Sequence, residues 1–178
     1  MRSTAVRALA VLLVVCFAFA CTEHNPTSAP AASAVPAAQP DLVGGLLSST
    51  GLLKCSDLPA AQTTATIGPD GGKISAGPHT LVIPAGAVSA PTQITMTLRT
   101  GMGVNAVQFQ PEGLRFNKPA SLTMSYANCS IISILVPKKI VYTSDALQIL
   151  ETLLSLDNIF TRKVTGQVNH FSDYVVGW

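Results

Sequence analysis

The chain reads as an all-β protein, an antiparallel β-sandwich, on three observations. Turn residues interrupt short apolar runs: Gly68-Pro69-Asp70-Gly71-Gly72 and Ala76-Gly77-Pro78 alternate with Ile74, with Leu81 to Ile83 and with Ile94 to Leu98. Glycines supply the positive φ that tight turns need, and Pro69, Pro78 and Pro84 fix φ and remove donors where a ladder ends. Composition agrees, because 11% charged residues with 13 Gly and 12 Pro suit turn-rich β structure better than a helical bundle. Finally, the strand signals recur at short spacing over most of the chain, the pattern of a sandwich or barrel and not of alternating β and α units.

Taken in order, the expected strands cover 62–67, 73–75, 80–83, 93–99, 106–110, 121–126, 132–135, 139–142, 146–150, 163–168 and 173–176. The segment around Leu147, Leu150, Leu153 and Leu154 fits helical spacing as well as a strand, and its β neighbours place it with the strands. Phe109, Leu114 and Phe116 flank the Pro111-Glu112-Gly113 turn as apolar anchors. Glu112 has no second carboxylate placed to pair with it, so it reads as a solvated turn residue. Residues 41–54, with five leucines and Gly44-Gly45, are expected to be a short helix or an ordered lead-in.

The N-terminus has the form of a secretory signal peptide over 1–20: a basic leader carrying Arg2 and Arg7, then an apolar run from Ala8 to Ala20. That run falls short of the roughly 20 residues a transmembrane helix needs. Ala18-Phe19-Ala20-Cys21 resembles a bacterial lipobox, with Ala18 where leucine is usual, which makes Cys21 the lipidated residue. Ordinary signal peptidase would cut the same bond and leave Cys21 a secreted thiol. Residues 22–40 are rich in Pro, Ala and Ser with little to bury, the composition of a disordered tether. A tether directly after the cysteine favours lipidation, since two or more acyl chains anchor a protein stably where one does not. The domain plan is therefore 1–20 signal peptide, 21–58 lipidated cysteine, tether and lead-in, and 59–178 sandwich. If the source has two membranes, Thr22 after Cys21 suggests sorting to the outer one.

Removing Arg2 and Arg7 with the signal leaves 9 Lys+Arg against 9 Asp+Glu. A neutral mature chain has no electrostatic footprint for nucleic acid. Cys55 and Cys129 remain as a pair, and an oxidising compartment makes a disulfide their natural state, with two buried free thiols the alternative. Their spacing from the histidines supports no metal site, and no cofactor is implied. His79 reads as part of the Gly77-Pro78-His79-Thr80 turn.

Gly71-Gly72, then Leu81-Val82-Ile83-Pro84-Ala85-Gly86-Ala87-Val88, then an alternating strand, together with the phrase from Phe109 to Tyr126, resemble the ZU-five domain family. The resemblance covers about 62–178 and implies a sandwich used as an interaction or tethering module. In some members of that family a His-Phe-Ser tripeptide cuts its own backbone. Carried onto His170-Phe171-Ser172, this makes Ser172 the nucleophile, His170 its base and Phe171–Ser172 the scissile bond. A turn leading into the last strand explains the same three residues without chemistry.

The expected function is a membrane-anchored envelope lipoprotein whose sandwich binds an envelope protein partner or packs in a surface assembly. Self-cleavage after Phe171 is the first alternative. A carbohydrate-binding sandwich is the second, weakened by a single Trp and only 3 Tyr for sugar stacking. A hydrolase acting on external substrates lacks a Gly-x-Ser-x-Gly elbow, paired carboxylates and a His-Glu-x-x-His motif.

Overall fold

The computed structural model describes residues 50–130 and 136–178. Over these residues the chain is all-β, without helices, and its two antiparallel sheets pack as a sandwich. The expected signal peptide and tether, Cys21, the lead-in as far as residue 49 and the strand expected at 132–135 lie outside the described residues.

In chain order the strands are β1 (Gln62–Ile67), β2 (Gly72–Ala76), β3 (His79–Ile83), β4 (Thr92–Arg99), β5 (Ala106–Gln110) and β6 (Arg115–Ser125), followed by β7 (Lys139–Thr143), β8 (Ile149–Thr152), β9 (Ser155–Asn158), β10 (Lys163–His170) and β11 (Asp173–Gly177). One sheet has the order β1-β4-β5-β11-β7-β8 and the other β2-β3-β6-β10-β9. Consecutive β10 and β11 therefore belong to different sheets, and the His170-Phe171-Ser172 stretch is the corner between them.

Period-two patterning forms the core. On β4, Ile94, Met96 and Leu98 face inward between half-exposed threonines and an exposed glutamine. They meet Ala120, Leu122 and Met124 of β6 and Val164 and Val168 of β10 in one cluster. Each of the larger side chains, fully buried, contributes about 1.5–3 kcal/mol. β11 is different, because all five of its residues are buried. Tyr174 and Val176 enter the main core, while Val175 joins Leu52, Val104, Ala106 and Val141 on the opposite face of the sheet. A central strand covered on both faces must read as a nearly continuous apolar run, as Tyr174-Val175-Val176 does.

The turns do what their residues predict. Between β2 and β3, Ala76 pairs with His79 across a two-residue loop, and Gly77 takes φ 55° at its first position. Gly71, at φ 78°, closes the β1–β2 turn through its N–H to Gly68 O at 2.9 Å.

Elsewhere the structure corrects the expected strands. β6 begins at Arg115 instead of 121, running through Pro119 where neither neighbouring ladder pairs residues 116–119, so the missing N–H costs no ladder bond. The strand expected at 146–150 starts at Ile149, because a turn occupies the preceding residues: Ser144 O accepts from Leu147 N–H, and Leu147 sits at φ 58°. β9 has no counterpart among the expected strands. It pairs only with β10 and leaves Leu156 exposed, so the alternation that marks a buried face is absent. His79 is the first residue of β3 and fully buried, not part of a turn.

In the lead-in, Leu52 bridges Gly177 and Leu53 N–H donates to Val176 O at 3.0 Å, with both side chains fully buried. Cys55 and Cys129 face each other in an antiparallel bridge at disulfide distance, Sγ–Sγ 1.99 Å and Cα–Cα 3.8 Å. The flanking bonds, Ser56 N–H to Asn128 O at 3.1 Å and Ser130 N–H to Lys54 O at 2.8 Å, make them a non-hydrogen-bonded pair. That is the position in which antiparallel side chains stand closest.

Candidate functional site

The sandwich corner made by the β5–β6 and β10–β11 connections holds a cavity of about 340 Å³, lined by Glu112, Gly113, Arg115, Tyr142, His170, Phe171 and Ser172. Phe171 anchors it from below. Its ring stacks on Phe109 at 4.8 Å and 14° and meets Phe116 edge-on at 5.0 Å and 89°. Offset and edge-on aromatic pairs of this kind add about 0.5–1.5 kcal/mol each beyond burial, so the Phe171 position is stiff.

The Pro111-Glu112-Gly113-Leu114 turn grips the Phe171 backbone on both sides. Phe171 N–H donates to Leu114 O at 2.8 Å, and Phe171 O accepts from Gly113 N–H at 3.1 Å. Gly113 takes φ 74°, a conformation that favours glycine and that turns its N–H toward this carbonyl. The Gln110–Pro111 peptide bond is cis.

His170 is half-buried, with its ring edge-on to Tyr142 at 5.2 Å and 80°. Its Nδ1 stands 3.4 Å from Phe171 O. Tyr174 Oη donates to His170 O at 2.5 Å, and burial pushes the Tyr174 phenol well above its ordinary range. Ser172 is buried at the rim of the cavity. The residue after it, Asp173, is paired through Oδ2 with Arg99 Nη1 at 2.9 Å, while the same Arg99 nitrogen reaches the exposed Asp145 at 3.4 Å. Burial raises the Asp173 carboxyl above the usual carboxylate range, and the Arg99 charge opposes that rise. Asp173 Oδ1 and Thr143 Oγ1, on paired residues of β11 and β7, are buried without hydrogen-bond partners.

The structure thus brings His170, Phe171 and Ser172 to one wall of an open corner and adds residues that sequence reasoning assigned elsewhere. Glu112, expected to be an isolated turn residue, lines the same cavity, and so do Arg115 and Tyr142. The available signal was the pair of phenylalanines around the turn, since both Phe109 and Phe116 pack on Phe171. Cys55 and Cys129 sit apart, in the bridge between the lead-in and the segment after β6. His79 is also apart: its Nδ1 accepts from Ser125 N–H at 3.1 Å inside the core, and burial lowers its pKa to about 4.

Among the described residues no group of three or more His, Cys, Asp or Glu side chains is placed to hold a metal ion. Comparison with protein-family models and with curated protein sequences finds no match to this chain.

Proposed function

We propose that this chain is an exported, lipid-anchored envelope protein of ZU-five type whose sandwich serves as an interaction or structural module. The observation that carries the reading is the Cys55–Cys129 pair at disulfide distance. Such pairs persist in oxidising compartments and are rare in a reducing cytosol, and the leader, Cys21 and the tether in the sequence specify the same route. The module has surface to act through. β8 and β9 are edge strands of the two sheets, and near them Leu154 and Phe160 are 81% and 94% exposed. Leu154 and Leu156 line one surface groove with Ser121, Thr165 and Gln167, an exposed apolar surface that suits a partner.

The test is an intact mass of the protein purified from its own membrane under denaturing, non-reducing conditions. The reading expects a chain from Cys21 to Trp178 carrying acyl groups and lacking two hydrogens. A mass without acyl groups removes the anchor, and free thiols remove the oxidising compartment.

A second reading is favoured by one geometric feature: the Phe171 carbonyl oxygen has two nitrogen atoms around it, Gly113 N at 3.1 Å and His170 Nδ1 at 3.4 Å, and a serine directly follows. In this reading the domain cuts itself between Phe171 and Ser172. The same mass spectrum tests it, because cleavage yields a chain ending at Phe171 and a peptide from Ser172 to Trp178.

A further inference from the structure

We infer that His170 acts on the Phe171–Ser172 bond as a hydrogen-bond donor to the carbonyl oxygen, in partnership with Gly113 N–H, and not as the base for the serine proton. The inference rests on the self-cleavage reading of this corner. His170 Nδ1 faces Phe171 O at 3.4 Å, and among the described residues no hydrogen bond joins the imidazole to Ser172. A base must touch the proton it takes, whereas a donor must face the oxygen on which charge develops.

The carbonyl is built to be held. Gly113 N–H reaches the same oxygen at 3.1 Å, and the adjoining amide of Phe171 is tied to Leu114 O at 2.8 Å. The stacked Phe171 ring keeps this peptide from rotating away. The Tyr142 ring, edge-on to His170 at 5.2 Å, restricts the imidazole to the side of the oxygen. Two donors fixed in place before reaction, one from the backbone and one from a side chain, form the kind of oxyanion site that stabilises tetrahedral intermediates.

The chemistry balances without a histidine base. Ser172 Oγ attacks the Phe171 carbonyl carbon, and charge gathers on the oxygen between Gly113 N–H and His170 Nδ1–H. The C–N bond breaks as the C–O ester bond forms. The hydroxyl proton passes through a water in the cavity to the departing Ser172 nitrogen, which becomes a free amine. A second water then splits the ester, leaving a carboxylate on Phe171 and restoring the Ser172 hydroxyl.

The experiment is a time course of cell-free synthesis of the full chain under oxidising conditions, quenched in denaturant. The fraction ending at Phe171 is read by mass for wild type, His170→Asn, His170→Ala and Ser172→Ala. Asparagine presents an N–H where Nδ1 stands but cannot serve as a base. As a donor, His170→Asn slows cleavage by no more than about tenfold and His170→Ala by about a hundredfold or more, the usual loss for one oxyanion donor. If Asn is as slow as Ala while wild type cuts, or if Ala is as fast as wild type, the donor role is overturned and self-cleavage stands. An uncut wild type overturns the self-cleavage reading and the donor role with it. A Cys55–Cys129 bridge formed to the wild-type extent in each variant, seen in the same spectra, shows that a slow variant has folded.

Discussion

His79 couples the core to pH through a single proton. Its Nδ1 is occupied by Ser125 N–H, its Nε2 is buried without a partner, and its pKa is lowered to about 4 by burial. An unfolded chain binds this proton near pH 6.5, so between 6.5 and 4 the unfolded state holds more protons than the folded one. Stability contributed by neutral His79 is therefore full above pH 6.5 and falls toward pH 4, by about 3 kcal/mol over the window. Asp173 acts in the opposite sense. Its folded pKa lies above the ordinary carboxylate value, so its protonated form stabilises the fold at low pH and that contribution fades as pH rises through the folded pKa. Denaturant midpoints at pH 7 and pH 4.5 separate the two, because His79→Gln flattens the loss below pH 6.5 and leaves the Asp173 trend in place. Neither environment was legible in the sequence. Burial of a histidine depends on which strand crosses its ring, and a glycine-proline turn before His79 says only that a strand is about to begin.

At the scale of elements, turns were the most readable parts and edge strands the least. The β1–β2 and β2–β3 turns formed where Gly68-Pro69-Asp70-Gly71-Gly72 and Gly77-Pro78 were read, since positive φ is a local demand that glycine meets most readily. Gly71 shows how tight that demand is, with φ 78° and an added Cβ that would lie 2.3 Å from Ile83 O and 2.7 Å from the Pro84 carbonyl carbon. Gly71→Ala is expected to destabilise by at least about 2 kcal/mol in denaturant unfolding, through strain and a backbone clash together. β9 escaped the pattern and β8 was placed three residues early, because only one neighbour pairs each of them and neither buries a regular face. Of the leucines at helical spacing, Leu147 and Leu153 pack against the core from outside the strands while Leu150 and Leu154 are exposed, so no regular buried face marks the register.

On the scale of the whole molecule, two long-range ties decide how it comes apart. The Cys55–Cys129 pair, separated by 74 residues, joins the lead-in to the segment after β6. Replacing both with serine is expected to lower stability by about 4 kcal/mol in the chain-entropy model, read as a shift of the denaturant midpoint. The second tie is β11, which lies between β5 and β7 with every residue buried. A chain cut after Phe171 would keep Ser172 to Trp178 in place through ladder bonds and the burial of Tyr174, Val175 and Val176. Such a nick is expected to leave native size-exclusion elution unchanged and to release the peptide only in denaturant; release under native conditions would contradict this placement of β11.

What the sequence determined by itself was local: the all-β class, the glycine turns and the positions of most strands. Those follow from period-two patterning and from φ demands that each residue meets or fails within a few neighbours. Only the tertiary structure decided that β10 and β11 belong to different sheets, that Glu112, Arg115 and Tyr142 share a corner with His170 and Ser172, and that Gly113 reaches the Phe171 carbonyl. The Gly113–Phe171 contact joins residues nearly sixty positions apart, and it exists because two sheets must bury their apolar faces against each other. Which loops meet at the ends is a consequence of that packing.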